Sequence, residues 1–166
     1  MATTTLMTIE EYAQLPVTGV RTELVDGEVT ELATGVFVHD LMRDDIRVAL
    51  HGQSGGIAVV EREFRTAENR VRRADVVWFA PGRITHADRW RNLSPVPDLA
   101  VEIVSPTDRA AEIRDMTTVW VVYLEHREAE IWNKGRTAVA GAEILTADCL
   151  PGFSLAVDAV FPKGIE

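Results

Sequence analysis

Two apolar runs, each interrupted by one acid, stand out in the hydrophobic pattern. Arg72-Arg73-Ala74-Asp75-Val76-Val77-Trp78-Phe79 and Asp98-Leu99-Ala100-Val101-Glu102-Ile103-Val104 are rich in β-branched and aromatic residues, and each reads as a buried strand. Upstream, Met42, Ile46, Ala49 and Leu50 recur at helical spacing, which predicts a helix from His39 to about His51, ended by the glycines at Gly52, Gly55 and Gly56. Ile57 to Phe64 predicts a strand, Ala67-Glu68-Asn69 a turn, and Val71 to Phe79 the strand that pairs back. Pro81 to Pro97 is a long connection with a helical turn near Asp88, and Leu99 to Val104 is the next strand. Ser105-Pro106-Thr107-Asp108 has a cap, a proline at the first helical position and an acid three past the cap, which predicts a helix through Arg114. Thr118 to Leu124 predicts a very apolar strand, Glu128 to Trp132 a partly exposed one, and Leu150-Pro151-Gly152-Phe153 a turn before a short apolar run to Phe161.

The first part of the chain is punctuated as clearly. Thr8-Ile9-Glu10-Glu11 is a capping box, with Met7 and Tyr12 placed for a hydrophobic staple, so a short helix from Ile9 to Leu15 is expected, stopped by Pro16. Asp26-Gly27 between Arg21–Val25 and Glu28–Leu32 predicts a two-residue β-hairpin. From His39 onward the order is helix, strand, strand, strand, helix, strand. That is an α/β (α+β) protein with a mixed sheet flanked by helices, in one domain over residues 1–166.

Composition narrows the function. Apolar content of 46% is that of a soluble globular protein. No apolar run approaches the ~20 residues of a membrane span. The start has no basic region and no apolar signal core, so a cytoplasmic location is expected and no membrane partner. Cys149 is alone, which excludes an internal disulfide and a cysteine-based zinc site and suits a small buried hydrophobe. The net charge of −9 argues against loose affinity for nucleic acid but leaves a metal-dependent nuclease open, because such a cleft is acidic before its metal arrives.

The two acids carry the candidate chemistry. An ionised carboxylate in a sheet core costs several kcal/mol unless paired, and two close together repel. A hard divalent cation, Mg²⁺ or Mn²⁺, between Asp75 and Glu102 removes both penalties. The two runs alone equally allow each acid to sit at a strand end or on a solvent face. Arg62, Arg65, Arg70, Arg72 and Arg73 form either a phosphate-contacting rim or a solvated hairpin edge interleaved with Glu61, Glu63 and Glu68. Trp78, Trp120 and Trp132 fall on strand patterns and read as core, whereas Trp90, in the connection, is placed to stack on a base.

The strings Glu23-Leu24-Val25-Asp26-Gly27-Glu28, Arg73-Ala74-Asp75-Val76-Val77, Pro97-Asp98-Leu99-Ala100-Val101-Glu102-Ile103-Val104-Ser105-Pro106-Thr107-Asp108-Arg109, Val119-Trp120-Val121-Val122 and Leu150-Pro151-Gly152-Phe153 resemble, in this order, the Uma2 family of the PD-(D/E)XK nuclease superfamily. The resemblance implies a restriction-endonuclease-like core of α-β-β-β-α-β order and an Mg²⁺- or Mn²⁺-dependent endonuclease acting on DNA, with a homodimer possible for such folds. It implies that Asp75 and Glu102 ligate the metal. Glu23 matches the family's early acid, and His39 a histidine that opens the second helix and orients a ligand or phosphate. Arg72, Arg73 and Arg109 would contact nucleic acid.

The chain departs from the pattern at the superfamily's lysine. Two residues after Glu102 stands Val104. The helix position used instead in Uma2 proteins falls near Asp115 and Met116; the only lysines are Lys134 and Lys163. Beside the family, roughly ten helical residues, a rise of ~15 Å, are missing before Val119-Trp120. A true deletion, a segment missing from the sequence, or Arg109 or Arg114 standing in for the lysine would each account for this. The competing expectation is a nuclease-fold protein that no longer cuts, binding DNA or pairing with another copy through the apolar strand from Thr118.

Overall fold

The computed structural model describes residues 6–16, 20–31, 36–104, 116–134 and 136–163. The expected helix from Ser105 to Arg114, and with it Arg109, lies outside them. The first helix, α1 (Ile9–Tyr12), is shorter than expected but carries the full capping box, Thr8 with Glu11. The hairpin follows as β1 (Thr22–Val25) and β2 (Glu28–Glu31), turned by Asp26 at φ 51° and Gly27 at φ 88°. Positive φ at both central residues is what a tight hairpin turn with the right twist requires.

Helix α2 (Phe37–Leu50) buries His39, Met42, Ile46 and Leu50 along one side. Then come β3 (Ile57–Ala67), β4 (Arg70–Phe79), the 3-10 turn Ala87–Trp90, β5 (Leu99–Val104), β6 (Thr118–Tyr123) and β7 (Glu128–Asn133). Three short strands complete the described chain: β8 (Arg136–Val139), β9 (Ile144–Leu145) and β10 (Leu155–Ala156). None of these three was legible, since none has enough alternating residues to show a period.

The main sheet runs β2-β1-β4-β5-β6-β7-β8, with β3 also on β4. Among the described strands only β5 and β6 pair in parallel, so the sheet is mixed as expected. Met42, Ile46 and Leu50 pack with Val76, Trp78, Val101, Ile103 and Trp120, and the tail residues Leu150, Val160 and Phe161 close this cluster. Fully burying an aliphatic or aromatic side chain of this size contributes roughly 1.5–3 kcal/mol. Alternate residues of the same strands, Val77, Phe79, Ala100, Val119 and Val121, form a second cluster with Phe64 and Met116. Trp78 and Trp120 are fully buried and Trp132 packs against the second cluster, so all three serve the core. Strand β6 is paired on both edges, by β5 and by β7, and its residues are largely buried. The expectation that it could serve as an interface is therefore corrected.

Candidate active site

Strand β4 is where the sheet forks. Its one edge is occupied by β3 along nearly its whole length. The other edge is divided: Val76, Val77 and Trp78 pair with β5, whereas Val71 pairs with Leu24 of β1. Between those contacts the ladder is open, and backbone N–H groups there need acceptors. Acidic side chains supply them. The Arg73 N–H donates to Glu23 Oε1 at 2.9 Å, and the Ile103 N–H to Asp75 Oδ2 at 2.8 Å. The Asp75 N–H points at Glu102 Oε2 at 3.4 Å. Glu23, Asp75 and Glu102 thus come from three strands to one gap, Asp75 only 5% exposed.

Cationic side chains surround the gap. The Arg21 Nη2 lies 3.4 Å from Asp75 Oδ1, and its Nε 3.6 Å from Glu61 Oε2. His39 Nε2 lies 3.2 Å from Asp75 Oδ2, placed by the buried side of α2. Arg72, 4% exposed, bonds Glu23 Oε2 at 3.0 Å. Arg73 bonds Glu63 Oε1 at 2.7 Å, and Arg43, one turn along α2 from His39, bonds Glu61 Oε1 at 2.6 Å. Glu61 sits across from Asp75, between the Val60–Val76 and Arg62–Ala74 pairs, at φ 49°. A left-handed backbone at a non-glycine residue beside a candidate site stores strain of about 1–3 kcal/mol.

Glu102 is the acid left out of this pairing. Among the described residues no side-chain cation bonds it. Its carboxyl group is held well above the usual carboxylate range, first by burial, then by the charges of Asp75 and Glu23. The Asp75 N–H and the charge of Arg21 offset this only in part. Backbone donors alone would be satisfied by neutral acceptors, so three carboxylates at one fork hold more negative charge than the fork needs. The donor set is all oxygen, as Mg²⁺ or Mn²⁺ prefers, and Asp75 and Glu102 fit such an ion. Among the described residues no three acid, histidine or cysteine side chains gather closely enough to hold a metal by themselves, so water or substrate oxygens would complete the shell. Burial works against a charge on His39, but the hydrogen bond and charge of Asp75 outweigh it and raise the imidazole above its ordinary value.

The structure thus brings together Asp75, Glu102, Glu23 and His39. Arg72 and Arg73 stand beside them with their guanidinium groups on Glu23 and Glu63. Val104 and Met116, at the two positions where a lysine would stand, are buried in the second cluster. Arg21 and Arg43 were not anticipated. The signal for Arg21 was its place two residues before Glu23, on the same side of an extended strand. For Arg43 it was the four-residue step from His39.

The fold has a counterpart among solved structures. A crystal structure of "a putative nuclease belonging to DUF820" from Anabaena variabilis ATCC 29413 superposes with a TM-score of 0.79, covering 93% of this chain and 97% of that one at 16% identity. The fold is of the restriction-endonuclease-like class. The profile of Uma2, described as "Putative restriction endonuclease", matches residues 9–158, and the chain belongs to the Uma2 family. No curated protein matches the chain. Among the described residues no helix is long and apolar enough to cross a membrane.

Proposed function

We propose that this chain is a divalent-metal-dependent endonuclease that hydrolyses phosphodiester bonds in DNA, with Asp75 and Glu102 holding Mg²⁺ or Mn²⁺. The observation that carries the reading is the convergence of Glu23, Asp75 and Glu102 from three strands on one gap, where no side-chain cation among the described residues bonds Glu102. When bound, the ion supplies Lewis-acid charge and lowers the pKa of water. The protein's own groups do the rest. His39 Nε2 and the Ile103 N–H hold Asp75 Oδ2 in one orientation, leaving Oδ1 toward Arg21. Glu23, clamped by Arg72 and the Arg73 N–H, fixes β1 against β4 and adds negative charge to the gap. Arg21 is the cation for the scissile phosphate. Its bond to Asp75 is long, and its Nε, 3.6 Å from Glu61 Oε2, makes no hydrogen bond among the described residues, so a phosphate oxygen can recruit the guanidinium fork. Arg21 would thus supply, from a different place than the superfamily's lysine, permanent positive charge to stabilise charge developing on the phosphoryl oxygens.

The test is nicking of supercoiled plasmid with Mg²⁺ or Mn²⁺ against a chelator, with Asp75→Asn and Glu102→Gln as controls. Metal-dependent nicking lost in both variants supports the proposal; wild-type nicking no faster than Asp75→Asn overturns it. Val104 at the lysine position favours a second reading for that outcome, a nuclease-fold protein that binds DNA or another protein without cutting.

A further inference from the structure

The arginines near the fork and the β3–β4 hairpin are held in two ways. Arg21, Arg43, Arg72 and Arg73 are bound to carboxylates at or beside the fork. Arg62 and Arg65 are not: Arg62 donates to the Arg91 carbonyl, and Arg65 to the carbonyls of Ala67 at 3.0 Å and Glu68 at 3.1 Å. Their charge is held in place by neutral acceptors and, among the described residues, is paired with no acid. Arg91 is nearly as free, with only a distant contact of 3.8 Å to Asp88 Oδ1. In a chain of net charge −9, this is a local island of positive charge.

Beside it stands Trp90, 82% exposed. The indole is not on a loose loop. The turn that carries it is tied by Asp88 Oδ2, which accepts from the Thr85 N–H at 2.9 Å and the Thr85 hydroxyl at 2.6 Å. Its exit is pinned by Asn92 Nδ2 to the Ala13 carbonyl at 3.0 Å and by the Ser94 N–H to the Glu63 carbonyl at 2.9 Å. An aromatic face is therefore presented to solvent by a braced turn.

Two cavities join this face to the fork. One, of about 600 Å³, is lined by Trp90, Arg65, Arg91, Asn92 and Ala13. The other, of about 500 Å³, is lined by Arg62, Arg73, Arg21, Asn92 and Ala13. They share Ala13 and Asn92 in their linings, and Arg21, which lines the second, lies 3.4 Å from Asp75 Oδ1. The acids along the way do not oppose a polyanion at full strength. Glu63 is paired with Arg73 and Glu61 with Arg43, and the charge of Asp88 faces Arg91 at 3.8 Å.

We infer that this track binds a single-stranded segment of DNA, with an unpaired base stacked on Trp90 and phosphates on Arg62, Arg65 and Arg91. The inference rests on the nuclease reading for its direction, toward Asp75. It adds to that reading a substrate class, DNA with an unpaired stretch flanking the cut. A paired base keeps its faces inside the helix, whereas an unpaired one can lie on an aromatic ring beside a cationic groove.

The experiment is fluorescence anisotropy of the full chain in chelator with a labelled oligothymidine and a labelled blunt hairpin duplex. The single strand is expected to bind more tightly. Trp90→Ala is expected to lower the ratio of single-strand to duplex affinity about tenfold, within the range for loss of one base–aromatic stack. Trp90→Phe should restore most of it, and the exposure of Trp90 makes misfolding of either variant an unneeded explanation. Arg62→Ala with Arg65→Ala should reduce the slope of log affinity against log salt by about 1.4 on the single strand. Equal binding of both DNA forms, or a ratio indifferent to Trp90→Ala, overturns the inference. Plasmid nicking that depends on Glu102 together with that indifference would overturn the track and leave the nuclease reading standing. Trp90-dependent binding without any nicking would support the track and overturn the nuclease reading.

Discussion

Replacing Glu102 by glutamine tests the electrostatic account of the fork without changing its shape. In the wild-type protein the Glu102 pKa is raised above its ordinary value of 4.5, so the folded state holds a proton that the unfolded chain gives up more readily. Below that ordinary value both states are protonated and the carboxyl costs nothing. As pH rises from there through the folded pKa, stability falls, by about 1.4 kcal/mol for each unit of difference once both values are passed. Glutamine keeps an oxygen for the Asp75 N–H at 3.4 Å and removes the charge that Asp75 and Glu23 repel. The opposing effect is an amide group without a full set of partners, which costs about 1–3 kcal/mol if it reaches no water. Glu102 retains a partly exposed surface, so water is within reach and the smaller figure applies. In chelator at pH 8 Glu102→Gln should therefore melt above the wild type, by about 2–4 °C per kcal/mol gained for a chain of this size. The gap should close as pH falls toward 4.5. Added Mg²⁺ or Mn²⁺ at a hundredfold excess over its dissociation constant should raise the wild-type Tm by about 5–11 °C, from 2.7 kcal/mol of linkage, and leave the variant nearly unmoved. Differential scanning calorimetry across pH, with and without metal, measures both effects. A variant that melts below the wild type at every pH, or a metal shift equal in the two proteins, would refute the reasoning.

Three other outcomes are expected. His39→Gln should cost about 1–3 kcal/mol near pH 6, where the charged imidazole still holds Asp75. The raised imidazole pKa means that this stabilisation is full below the ordinary value of 6.5 and is lost as pH rises through the folded value, so urea denaturation should show the deficit shrinking toward pH 9. Arg21→Gln should slow plasmid nicking roughly 10²–10³-fold, the usual loss for one donor to a developing anion, while the metal-induced rise in Tm persists. Gly56→Ala should destabilise by about 1–3 kcal/mol in the same denaturation assay. Its new methyl group would overlap the Trp78 ring at Cζ2, and that indole is fully buried and cannot retreat.

Much of the fold could be read from the chain because its elements are marked by strong local chemistry. The capping box at Thr8, the Asp-Gly turn and the runs ending at Phe79 and Val104 each place an element from its own residues. The three short strands after Asn133 escaped because their pairing depends on neighbours rather than on any local pattern. Mistaking β6 for a possible interface has the same origin. A very apolar strand can be an outer face awaiting a partner or an inner strand flanked on both edges, and the run of residues is identical in the two cases.

The acids were visible for a different reason, namely that a carboxylate in an apolar strand demands an explanation. Their partners were not, since an arginine near a hairpin is ordinary until its register is known. Here the register does the selecting. The ladder between β4 and β5 stops at Val76, and the next residue inward, Asp75, accepts the Ile103 N–H with its side chain in place of a ladder bond. That substitution opens the gap that Glu23 and Glu102 enter and Arg21 closes from the β1 side. A lysine two residues beyond Glu102 would have to emerge where Val104 packs against Val119 and Val121 in the second cluster. The cation at the fork therefore comes from the strand that leaves β4 rather than from the one that carries Glu102. Because a guanidinium stays protonated at any working pH, it can hold a phosphate but cannot shuttle a proton. An ion held by Asp75 and Glu102 would supply that chemistry by lowering the pKa of water, and under the proposed reading the nicking rate would then rise with pH and level off.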